Sequence, residues 1–175
     1  MQAFMTRIEF DEKYPLVFDW IQGILSVHAE KAQPVASLGF KRLPRYFHRD
    51  ILTKARVVYL PAVPIPPLGA MGFGQFSDFE NMDVGGIVFL DMILLRHRMR
   101  GNEAQHFHEL VHVVQWQFLG PKRFVEAYAN GIESVGYRAA PLEAMAYTLT
   151  NVFRKGKAAF DVVAVIREQL SELYF

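Results

Sequence analysis

Cysteine is absent from the 175-residue chain, which excludes disulfides and thiolate metal sites together. Any metal must be held by histidine and carboxylate. Histidine is itself scarce: there are six, and none follows His112. Charge of one sign is missing too. The 19 Lys and Arg offset 18 Asp and Glu to leave +1, with no bias toward nucleic acid or an anionic membrane. No charge-free run reaches about 18 apolar residues, so no membrane span is expected. The opening segment, Met1 to Glu12, has no apolar core of a secretory leader. A cytoplasmic location is the expectation. Internal repeats and low-complexity linkers are lacking as well.

What is present is apolar bulk: 51% of residues are hydrophobic and 15 are Phe, enough for a real core. The length fits one domain, residues 1–175, since domains run to roughly 50–250 residues. The expected fold is a mostly helical α+β domain. Residues 1–55 should carry two helices, 56–100 a small sheet with a Pro/Gly loop, and 101–175 four helices. The first helix is read from Tyr14 to about Lys31, ended by Pro34, and the second from Pro44 to about Lys54. The second is flanked by a basic cluster (Lys41, Arg42, Arg45, Arg49, Lys54, Arg56), read as a solvated face. Arg56 to Leu60 is β-branched and strand-like. Residues 61–69 should run extended on their prolines, ahead of a loop where Gly69, Gly72 and Gly74 interleave with Phe73 and Phe76. Gly85 to Leu95 reads as a second strand continuing into a helical segment. Later helices are predicted from Asn102 to Leu119, Pro121 to Val135, Pro141 to Arg154 and Asp161 to Leu173.

The most informative string is His108-Glu109-Leu110-Val111-His112. Positions four apart on a helix share a face about 5–6 Å apart. Two imidazoles there can bind one Zn²⁺ at roughly 2.0–2.1 Å. Glu109 lies about 100° around the helix, flanking the ion, where a general base acting on water must stand. Phe107, Leu110, Val111, Val114 and Phe118 give the helix an apolar stripe. The competing reading is a pair of core histidines bonded to backbone.

Two histidines leave a zinc site incomplete, because catalytic sites usually have three protein ligands. Without cysteine or a later histidine, a downstream carboxylate must serve. Glu126, Glu133, Glu143 and Asp161 are the candidates. Glu143 is favoured: it opens a helix among Ala139, Ala140, Ala144 and Ala146, whose small side chains permit close helix packing. Its competing role is to stabilise the helix N-terminus.

The motif with a downstream Glu resembles the gluzincin group of zinc metallopeptidases. The longer strings His108–Gln115 and Tyr137–Ala144 resemble small bacterial metallopeptidase domains; the likeness covers residues 100–150. It implies a zincin-like domain with zinc on His108, His112 and Glu143, and with Glu109 as catalytic acid/base. It also implies a small sheet on the motif helix whose edge strand, matched to Gly86 to Leu90, binds extended peptide. The function expected is metal-assisted hydrolysis of peptide or other amide bonds, with a peptide or protein as substrate. A developing oxyanion needs a donor, for which Tyr137, Arg138 and Tyr147 are candidates. Each ligating imidazole needs an acceptor for its other N–H; Asp91 and Asp161 are candidates. The alternative is a non-catalytic zinc protein that binds a partner, which would want a fourth ligand from His97 or His106. A lipid-surface role for the Pro/Phe loop at 61–79 competes with burial of its phenylalanines.

Overall fold

Thr6 and Glu9 close a capping box: Thr6 Oγ1 accepts from the Glu9 amide at 3.2 Å, and Glu9 accepts from the Thr6 amide at 2.8 Å. In this computed structural model, which describes residues 5–156 and 158–175, the first helix α1 (Arg7–His28) therefore begins at Arg7 rather than Tyr14. It ends at His28, so Pro34 is not its stop. Pro34 belongs to a short strand, β1 (Gln33–Pro34), that the sequence did not suggest.

The expected helix from Pro44 to Lys54 is broken in two. Leu43–Arg45 forms one 3-10 turn, His48 is extended (ψ 150°), and only α2 (Arg49–Lys54) is α-helical. Tertiary partners account for the break. The Tyr46 carbonyl accepts from the Val162 amide, so it is not committed to a helical partner at Asp50. Two of the six basic residues serve the fold directly. Arg42 lies 3.8 Å over the Phe153 ring and donates to the Phe153 carbonyl; Arg56 donates to the Ala32 carbonyl.

The second strand, β2 (Arg56–Leu60), falls where its β-branched residues place it. The loop that follows buries Phe73, Phe76 and Phe79, the last on a single turn, α3 (Ser77–Glu80). The stretch read as a strand running on into a helical segment is instead two strands, β3 (Gly86–Phe89) and β4 (Met92–Arg96), joined at Leu90-Asp91. Leu90 takes φ 59° there, a conformation that favours glycine, so the usual turn signal was absent. The strand order is β1-β2-β4-β3, with β2 and β4 parallel (Val57 beside Ile93) and β3 an antiparallel edge. Val57, Ile93, Leu94 and Leu95 are fully buried, as expected for strands covered on both faces.

Asn102 caps the motif helix α4 (Glu103–Leu119), accepting from the Gln105 amide at 3.0 Å. Gly120 (φ 76°) turns the chain out and Pro121 starts α5 (Pro121–Val135). Then come α6 (Pro141–Arg154) and α7 (Val162–Tyr174), the latter capped by Asp161. The fold is α+β and mostly helical, with the sheet packed on α4. On the core side of α4, Phe107 stacks on Phe153 at 4.5 Å inside an aromatic nest with Tyr46 and Phe47. That nest clamps α6 against α4 and sets the position of Glu143.

Candidate metal centre

His108 and His112 project from one face of α4, and Glu143 faces them from the first turn of α6. The two Nε2 atoms are 3.2 Å apart. Glu143 Oε2 is 3.5 Å from His108 Nε2, and its Oε1 is 3.3 Å from His112 Nε2. In a tetrahedral site the ligand–ligand separation is about 1.6 times the bond length, hence roughly 3.3–3.4 Å for bonds of about 2.0–2.1 Å. The three observed separations bracket that value. All three side chains are buried, Glu143 at 1% exposure. Among the described residues, this is the group of His, Asp and Glu that can converge on an ion.

The outer hydrogen bonds set what the trio can accept. Gln115 Nε2 donates to the Leu142 carbonyl at 3.0 Å, which leaves its Oε1 to accept from His112 Nδ1–H at 2.8 Å. Thr150 Oγ1 donates to the Ala146 carbonyl at 2.7 Å and turns a lone pair to His108 Nδ1–H at 3.4 Å. Both imidazoles thus carry their proton on Nδ1 and point Nε2 lone pairs inward. Tyr128 donates to Glu143 Oε1 at 2.6 Å, while Oε2 is buried without a donor. Three acceptors face one another with nothing to donate between them. Such a set is stable only around a cation, a proton or a metal ion. Two imidazole nitrogens and a carboxylate suit Zn²⁺.

The electrostatics agree. Burial pushes the His112 imidazolium down, but Glu143, then Glu109 and Gln115, outweigh it and raise its pKa to about 9. Burial pushes the Glu143 carboxyl up, and the charges and hydrogen bonds of His112 and His108 bring it below the ordinary carboxylate range. Without a metal, a proton on His112 plays the cation. Glu109 goes the other way: burial raises its pKa against the pull of His108 and His112. Its Oε1 accepts from Gln105 Nε2 at 2.6 Å, and it borders a cavity of about 330 Å³.

The other predicted residues sort clearly. Glu126 sits half-buried on α5 and does not join the converging group. Glu133 instead accepts from the Met5 amide at 3.0 and 3.2 Å. Asp161 caps α7 and pairs with His48, and Asp91 is exposed at the β3–β4 turn, so neither supports a ligating imidazole. Gln115 and Thr150 hold those places. His106 is consumed by Tyr59 and the Asn102 carbonyl, both at 2.8 Å. His97 is exposed. Neither is a fourth ligand. Tyr147 lies beside His108, ring centres 4.7 Å apart, and Tyr137 borders the same cavity. Burial and the Glu143 charge raise both phenols above their ordinary pKa, so both are hydroxyl donors at neutral pH.

Sequence reasoning missed Gln115, Thr150, Tyr128 and Gln105. Gln115 and Gln105 were findable, since they lie three residues after His112 and four before Glu109 on the same helix. Tyr128 carried no signal, because only the packing of α5 brings it to Glu143. No family model, curated protein or solved structure matches the chain.

Proposed function

We propose that this protein is a zinc-dependent hydrolase of peptide or other amide bonds. The observation that carries the reading is the set of three inward acceptors at 3.2–3.5 Å with a buried, pKa-raised carboxyl beside them. His108 Nε2, His112 Nε2 and Glu143 would hold the ion, which when bound supplies a Lewis acid that activates water and polarises a carbonyl. Glu109 takes the proton from the attacking water. Its Oε1 is fixed by Gln105, which leaves Oε2 for that transfer, and its raised pKa brings it toward working pH. Tyr147 and Tyr137 stand on the cavity wall as donors for the developing oxyanion. Gln115 and Thr150 keep the two imidazoles in the ligating tautomer.

The test is metal content and peptide hydrolysis measured on the native protein, His112→Ala and Glu109→Gln. The reading expects about one zinc per native chain, loss of metal in His112→Ala, and retained metal without hydrolysis in Glu109→Gln. Full hydrolysis by Glu109→Gln would overturn the assigned role. Zinc retained by the native protein without hydrolysis of any peptide would favour a non-catalytic zinc protein.

A further inference from the structure

The cavity beside the trio has a two-part chemistry that the hydrolytic reading does not use. Its walls are apolar, including Phe10, Val17, Ile21, Phe73, Trp116 and Phe124. It also holds charged groups of both signs. Of the lining acids, Glu143 belongs to the trio, Glu109 flanks it, and Asp83 is paired with Arg96. Two lining guanidiniums, Arg138 and Arg154, have no carboxylate partner among the described residues. Both are exposed, so solvent reaches the guanidiniums on this part of the lining.

Their placement follows from one helix. Glu143, Tyr147, Thr150 and Arg154 are spaced i, i+4, i+7 and i+11 on α6, so they run along one face away from the trio. Arg138 precedes that helix, with its guanidinium 5.3 Å from the Tyr147 ring centre. A guanidinium fork matches a carboxylate with two parallel hydrogen bonds. At about 330 Å³ the cavity sits at the lower end of small-ligand sites, roughly 300–1,000 Å³. That volume suits one or two residues better than a long peptide.

Resting on the proposed hydrolase, we infer that the substrate is a peptide or N-acyl amino acid with a free α-carboxylate on an apolar terminal residue. Arg138 and Arg154 receive the carboxylate, and the apolar wall receives the side chain. In the reaction the last C–N bond breaks, the hydroxyl of water joins the acyl carbon, and the proton leaves with the departing amine.

The probe is N-benzoyl-L-phenylalanine against its carboxamide, titrated calorimetrically into the metal-free protein. The carboxylate should bind at least tenfold more tightly than the amide. Arg138→Ala and Arg154→Ala should each erode that preference several-fold, and the double variant should abolish it. Because both residues are exposed, unchanged circular dichroism is expected for all variants. Equal affinity for the two probes, no binding of either, or a preference that survives in the double variant would overturn the inference; the last outcome would assign the anion to the protonated histidines. The zinc-loaded protein is tested in parallel on benzoyl-Gly-Phe. If the probes are discriminated as expected and no hydrolysis occurs, carboxylate recognition stands and the hydrolase reading falls.

Discussion

Replacing Gly86 with Ala tests the geometry that joins the edge strand to Glu109. A Cβ built on Gly86 lies 2.5 Å from Glu109 Oε1 and 2.5 Å from Leu95 Cδ2, and 3.0 Å from Glu109 Cδ. Two effects oppose each other. Ala in a strand is worth roughly 0.5–1 kcal/mol over Gly through lost unfolded-state freedom. Overpacking a tight site costs typically about 1–3 kcal/mol. Glu109 is pinned by Gln105 and Leu95 is fully buried, so neither yields cheaply and the clash wins. The net loss is about 1–2 kcal/mol, or a melting-temperature drop of roughly 2–8 °C for a chain this size. The neighbouring Gly85 is the control. A Cβ there meets Met99 Cε at 2.8 Å, the free end of a flexible side chain that can swing aside. Gly85→Ala should therefore be neutral to slightly stabilising. If the carboxylate of Glu109 moves by about an ångström, hydrolysis by Gly86→Ala should fall on the order of a hundredfold with metal content intact. Thermal denaturation of both variants decides the matter. Equal stability of Gly86→Ala and the parent would refute the close approach of β3 to Glu109.

Three further outcomes are expected. Gln115→Leu keeps the bulk but strips His112 Nδ1–H of its acceptor, so zinc affinity measured by chelator competition should fall about 10–100-fold, with Thr150→Val weaker because its contact is 3.4 Å. In metal-free protein, His112 is raised from the ordinary histidine value to about 9; its contribution is complete below about pH 6.5 and is lost as pH climbs through 9, with Glu109 titrating in the same direction from lower pH. The melting temperature of the chelator-treated protein should therefore fall from pH 6.5 to 9, and zinc should remove that fall; a flat profile would contradict the protonated pair. Glu103 accepts from the Arg42 and Leu43 amides at 2.7 and 3.0 Å, so Glu103→Ala should cost about 2–4 kcal/mol by chemical denaturation while leaving zinc affinity unchanged.

The parts that could be read ahead of the structure are those settled within a few residues. Asn102, Gly120 and Pro121 bound α4, and Pro141 and Asp161 open α6 and α7, because caps and breakers act on adjacent amides. The break between Leu43 and Arg49 was hidden because distant groups, Glu103 and the Val162 amide, take the local hydrogen bonds. The β3–β4 hairpin was hidden because Leu90 occupies a position that glycine favours, under the constraint of a buried sheet.

The same division runs through the site. A single helical turn fixes His108 and His112 on one face and Glu109 beside them, so the amino-acid order alone determined that two imidazoles would meet. Which acid faces them was undetermined at that level, since Glu126, Glu133 and Glu143 each follow on later helices. Packing of Phe107 against Phe153 seats α6 on α4, brings Glu143 to the histidines and leaves Glu133 to bind the Met5 amide. Short-range periodicity dictates which side chains share a face; long-range burial alone selects what comes to stand opposite it.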